Sequence, residues 1–191
     1  MKTIVILLSL FISSCSLANE TDIAKPWPEQ QNTEQSLEIL FSNTRMLTPA
    51  NPQLILSSTD SLIIRYDSPE FTKEIHVART PYDMLPTIGS KQLSPYLYFN
   101  LLYSSSKKRN VTEEETQQLQ EIRASHPTLE SIKVFQNEQQ TAYLAINTIS
   151  ANFQIEIYIT SEKEEKSFIF IGLKSMSEQD ALNLISSYKH F

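Results

Sequence analysis

Three histidines, one cysteine and two runs of glutamates are the groups in this 191-residue chain best suited to metal binding, nucleophilic attack or proton transfer. His76, His126 and His190 lie far apart, and no HExxH pair places two of them on one helix face. Cys15 is the one cysteine and sits in an apolar N-terminal segment, so no thiol of a folded domain can join the histidines around zinc. His76 falls within an alternating run. There it could meet a serine and a carboxylate in space, as in a hydrolase, or simply occupy a half-buried strand. His126 precedes Pro127 and marks a helix stop, and His190 follows a helical pattern, where positive charge suits the helix dipole. Glu113 to Glu115, and Glu162 with Glu164 and Glu165, could attract a cation or a basic partner. Calcium loops need spaced Asp and Asn with a glycine, which neither run has, so a solvated helix start and a solvated turn are the plainer assignments. Gly89 and Gly172 are the only glycines. Phosphate loops, dinucleotide fingerprints and nucleophile elbows need several at fixed spacing, so none can be built. The expectation is a non-enzyme with no catalytic residue, no metal and no cofactor.

Cys15 carries a different chemistry. Residues 1–18, MKTIVILLSLFISSCSLA, place Lys2 before an apolar run from Ile4 to Ile12, followed by small residues. That three-part build is an export signal. The apolar run is too short for a hydrocarbon core, which takes about 20 residues. Ile12-Ser13-Ser14-Cys15 resembles the bacterial lipoprotein signal, in which an aliphatic and two small residues precede the cysteine that is acylated and becomes residue one. Ser14 stands where that family more often has Gly or Ala. The resemblance covers the signal alone and implies a lipid anchor on Cys15. Ser16 after the cysteine, in place of Asp, implies sorting to the outer membrane, facing the periplasm. The alternative is an ordinary signal cut after Ser16-Leu17-Ala18, giving a secreted or periplasmic soluble protein.

Either cut leaves about 175 residues, which suits one domain with a real core. The formal charge of −6 argues against nucleic acid, since phosphate contacts need clustered Lys and Arg. It suits solubility, or a partner protein of basic character. Lys107 to Arg109 would touch anionic lipid only weakly and fit an inter-helix turn as well. The sequons at Asn19 and Asn110 are taken as chance in a bacterial protein.

The elements that must position these groups follow in order. Residues 19–31 are polar, carry Pro26, Trp27 and Pro28, and read as a tether; Trp27 is expected to pack on the domain edge. Residues 32–191 form the domain. Thr33 or Asn32 caps a helix carrying Leu37, Leu40, Phe41, Thr44 and Leu47 at a 3.6-residue period, ended by Pro49. Two strand-type runs follow, Gln53 to Leu56 and Ser61 to Tyr66, and then Lys73 to Arg79, with Ile75 and Val77 on one face. Thr80 to Ser94 is the longest loop. A helix begins at Pro95 with Tyr98, Leu101 and Leu102 as its stripe, and Thr112 with Glu115 opens another by a capping box. Strands are expected at Ser131–Gln136, Thr141–Ile149, Phe153–Ile159 and Ser167–Lys174, the last apolar on both faces and so mid-sheet. Ser177 with Asp180 caps a final helix bearing Ala181, Leu184, Ile185 and Tyr188. Phe153, Ile155, Ile157, Phe168, Phe170, Leu184 and Ile185 are expected to be buried together. The fold class is α+β: an antiparallel sheet with a C-terminal four-strand meander, helices packed on a face and a final C-terminal helix.

With no catalytic motif in hand, the expected function is a non-catalytic, envelope-anchored lipoprotein that binds another protein, such as an inhibitor or immunity protein against an envelope-acting toxin. The alternatives are a structural or assembly accessory of the outer membrane, or a small hydrolase. The expected contact is Tyr82, Met84 and Leu85, held between Pro81 and Pro86 in the long loop.

Overall fold

The computed structural model describes residues 24–30, 35–67, 72–103, 111–125, 129–147 and 152–190. These build an α+β domain of two sheets and three helices. The chain runs β1 (Lys25–Pro26), β2 (Ser36–Phe41), β3 (Thr44–Pro49), β4 (Leu54–Ser57), β5 (Ser61–Asp67), β6 (Thr72–Pro81), α1 (Pro95–Tyr103) and α2 (Glu113–Ala124). It continues with β7 (Leu129–Gln136), β8 (Thr141–Asn147), β9 (Ile155–Ser161), β10 (Glu164–Lys174), α3 (Glu178–Ser187) and β11 (Lys189–His190). The large sheet has the order β1-β7-β8-β9-β10-β6-β5-β4, antiparallel apart from the parallel pair β1 and β7. The small sheet is β11-β3-β2.

β7 to β10 form the expected meander, and α3 is the final helix. β10 lies between β9 and β6 because both of its faces are apolar. Ile169, Ile171 and Leu173 enter a core with Ile155, Ile157, Ile75, Val77, Leu184 and Ile185, beneath α3 and the small sheet. Phe168, one residue out of step, points the other way into a second core with Tyr98, Phe99, Leu102 and Leu119 of α1 and α2. The joint cluster expected from the sequence is therefore split. Phe168 and Phe170 belong to the α1 side, and Ile155, Ile157, Leu184 and Ile185 to the α3 side. The cause is strand geometry: successive side chains alternate faces, and here both faces are covered. Phe153 precedes β9 and packs its ring over Gly172.

The expected first helix is absent. Residues 36–49 form the β2–β3 hairpin, paired from Ser36 with Pro49 to Phe41 with Thr44. Ser42 and Asn43 make the two-residue turn, both at positive φ (47° and 60°), which matches the twist of the flanking strands. Ile39, Phe41, Thr44, Met46 and Thr48 are buried at a period of two, while Leu40 is 69% exposed. The helical spacing of Leu37, Leu40 and Phe41 was a coincidence of apolar positions, and Thr33 lies outside the described residues. Within the segment read as a tether, Lys25 and Pro26 pair with β7, and Trp27 donates its backbone N–H to Gln136 (3.1 Å) and packs against the α3-side core.

The capping boxes at Thr112 with Glu115 and at Ser177 with Asp180 are both formed. α2 buries Leu119 and is otherwise mostly exposed. Ser187 Oγ accepts from Leu47 N (2.9 Å), tying α3 to the small sheet.

Candidate functional site

β6 ends at Pro81, and the chain turns at once into a single 3-10 turn, Tyr82–Met84, closed by Leu85 N donating to Tyr82 O (3.0 Å). The loop that follows is held at four points. Gln92 Nε2 donates to the carbonyls of Tyr82 (2.7 Å) and Leu85 (3.2 Å). Ile88 and Lys91 exchange backbone hydrogen bonds at 3.1 Å, and the Ile88 side chain is buried. Gly89 donates to Gln118 Oε1 of α2 (2.6 Å). Lys91 Nζ lies 3.7 Å from Glu115 Oε1. Gly89 has φ +61°, and an added Cβ would meet Glu115 at 3.3 Å, so the position favours glycine twice over. The backbone hydrogen bond from Thr112 holds the Glu115 carboxyl below its ordinary range, with Lys91 adding to the effect.

Of the three side chains expected to form a contact, two face solvent. Tyr82 is 36% exposed and Met84 73%. Leu85 is half-buried against the α1-side core, so it anchors the turn from beneath. The structure therefore separates Tyr82 and Met84, presented outward, from Leu85, which holds their support.

His76 has a carboxylate and an aromatic ring as its neighbours. Its Nε2 is 3.4 Å from Glu74 Oε2, and its ring stands edge-on to Phe153 at 4.8 Å. Glu74 is almost buried and is bound by Arg65 through Nε (3.0 Å) and Nη2 (2.8 Å), with Lys174 Nζ at 3.9 Å. Burial pushes the Glu74 carboxyl up, but the hydrogen bonds from Arg65 and His76 and the charges of Lys174 and Arg65 outweigh it and leave it below the ordinary value. The group neutralises a carboxylate on a sheet face. The residues are one strand apart in register, Arg65 opposite Glu74 and Lys174 opposite Glu74, a cross-strand cluster invisible without the pairing.

A cleft of about 430 Å³ opens between the two sheets at the end carrying the β9–β10 turn. Ser42 of the hairpin turn, Gln140, Lys163 and Tyr188 line it, together with Arg79 and Ser167. Arg79 Nε donates to Ser167 Oγ (3.0 Å), and Ser167 Oγ donates to Glu164 Oε1 (3.3 Å), so three of the cleft's polar side chains are linked to one another. Sequence reasoning missed this cleft because its walls come from five separate segments.

On the α1 side, Phe99 stacks on Tyr158 (4.6 Å) and lies edge-on to Phe168 (5.1 Å). Burial raises the Tyr158 and Tyr103 hydroxyls far above their ordinary value. Tyr158 donates to Glu156 Oε2 (2.6 Å), which settles its hydroxyl. Among the described residues no three His, Cys, Asp or Glu side chains are grouped to hold a metal ion, and no helix is long and apolar enough to cross a membrane. Cys15, His126, Lys107 to Arg109, the sequon at Asn19 and the acceptor Asn110 of the second sequon lie outside the described residues.

These features define an α+β domain that presents two outward side chains on a loop strapped to a helix. No family model matches the chain, and no curated protein matches it.

Proposed function

We propose that this is a non-catalytic protein-binding domain, held at the bacterial envelope by an acylated Cys15 and acting on another protein, in the manner of an inhibitor or immunity protein. The observation that carries the proposal is the presentation of Tyr82 and Met84: exposed, on a turn closed by Leu85 N and held by Gln92, at the head of a loop fixed at Ile88, Gly89 and Lys91. A restrained loop loses little entropy on binding, and Tyr and Met are enriched at the centres of interfaces. The charge of −6 favours encounter with a basic partner.

Two measurements test this. Tyr82→Ala with Met84→Ala should leave the melting temperature nearly unchanged and weaken capture of the partner from envelope extracts by ~2 kcal/mol, roughly 30-fold. A large fall in stability with undiminished capture would assign the turn to folding and remove the site. Cys15→Ala should abolish labelling by radioactive palmitate and move the protein from the membrane fraction to the soluble one. A wild-type protein that takes no label and begins at Asn19 would replace anchoring with simple secretion.

A further inference from the structure

The cleft of about 430 Å³ between the two sheets has a charged rim and an apolar floor. Arg79, Ile169 and Ile159 stand opposite one another on β6, β10 and β9. Paired residues share a face of the sheet, so the three make one strip that runs from a guanidinium to two aliphatic side chains. Ser42 and Tyr188 line the cleft from the side of the small sheet, and Gln140 lines it at the start of β8. Tyr188 is 4% exposed and Gln140 9%. Among the described residues, neither the Tyr188 hydroxyl nor the Gln140 side-chain amide has a hydrogen-bond partner. No polar side-chain atom sealed from solvent goes unbonded among those residues, so both groups reach open space. The cleft is the space that both border, and Gln140 also edges a recess of about 110 Å³. Burial pushes the Tyr188 hydroxyl far above its ordinary value, so it stays protonated and free to donate. Buried polar groups are as a rule bonded, and two that are not, beside one cleft, mark a place for a polar ligand.

We propose that this cleft binds a small organic monoanion, a carboxylate attached to a compact apolar group. Charge selects the anion. Lys163 is exposed on the β9–β10 turn and has no carboxylate partner among the described residues. Arg79 commits only Nε to a hydrogen bond, with Ser167, and Glu164 stands 3.9 Å from its Nη2. With His190 neutral, Arg79 and Lys163 against Glu164 leave one net positive charge in the cleft. In a chain of −6 that is a local reversal of sign. One positive charge matches a monoanion, while Glu164 repels a phosphate dianion. A guanidinium offers a carboxylate two parallel N–H groups, and Ile159 and Ile169 give the apolar part a dry floor. Ligand pockets run from about 300 to 1,000 Å³, so a cleft near the lower end takes a small molecule or one terminal residue of a larger one. A free acid and the last residue of a peptide both present this chemistry. Gln140 both donates and accepts, which suits the amide that only the second carries. Neither Tyr82 nor Met84 lines the cleft, so the inference does not rest on the partner proposed for them.

Titration calorimetry of the full chain with hexanoate and with N-acetyl-leucine tests this. At least one of the two should bind at a single site with a Kd below about 1 mM. Tighter binding of N-acetyl-leucine assigns the cleft to a peptide end, and tighter binding of hexanoate to a free acid. Inorganic phosphate should not displace either. Arg79→Gln should weaken binding about tenfold and Lys163→Gln about threefold, as the loss of a charged partner does. Both side chains lie at the surface, so the melting temperatures should stay near that of the wild type. Tyr188→Phe should weaken binding about threefold and leave the melting temperature level or higher, because the hydroxyl it removes has no partner inside the protein. The inference is overturned if neither acid binds saturably, if phosphate displaces them, or if Arg79→Gln and Lys163→Gln bind as tightly as the wild type.

Discussion

Gly172 shows how a single atom fixes a surface. A Cβ there would lie 2.6 Å from Cγ of Phe153, closer than real Cβ atoms come to anything. The missing side chain lets the Phe153 ring lie flat on β10, where it meets His76 edge-on and packs against Phe170 at 5.6 Å. Gly172→Ala should therefore displace the ring and cost ~1–3 kcal/mol in urea unfolding, as overpacking does. Adding Phe153→Ala should recover most of that penalty, because the clash partner is gone; independent, additive losses would refute the contact. The sequence exposes the rarity of glycine but not this use of it, since the ring belongs to the segment that leads into β9, a neighbouring strand. Glu74 is the same kind of case. Its alternation with Ile75 is legible, but its burial among Arg65, His76 and Lys174 depends on strands whose pairing no local pattern encodes.

At the scale of elements, what could be read followed from local rules. The capping boxes, the proline at the start of α1 and the alternation in β6 and β9 each depend on neighbours in sequence, and the structure realises them. The exposed turn of Tyr82 and Met84 was legible as a loop between prolines, while the bonds from Gln92 and Gln118 that fix it were not. The β2–β3 hairpin was misread for two physical reasons. Its turn is Ser42-Asn43, without the glycine that usually marks positive φ. Two of its inward positions are threonines, which hide the apolar alternation. Thr44 satisfies its hydroxyl by donating to the Phe41 carbonyl, which is why a polar residue can sit there. Met46 decides between hairpin and surface helix energetically. It is fully buried in the α3-side core, so Met46→Ala should lower stability by ~2–5 kcal/mol. A loss under about 0.5 kcal/mol, the range of surface changes, would restore the helix.

For the whole molecule, the meander of β7 to β10 was readable because each strand pairs with the next. The docking of β6 on β10 was not, since Val77 pairs with Ile171 across most of the domain. That pairing, more than any hairpin, makes one sheet of two halves. Refolding should accordingly take milliseconds to seconds by stopped-flow fluorescence, as domains rich in distant pairings do. A chain stopped after Ser161 should show no cooperative unfolding transition; a sharp transition in that fragment would contradict the role given to β10. The position of β10 also has a consequence in time. The ribosome makes β2 to β9 first, and until residue 174 has emerged β6 has no strand to lie against on one side. Under the proposed export, that delay keeps the polypeptide threadable: a chain that cannot close its sheet early reaches a translocation pore while still extended enough to pass through it.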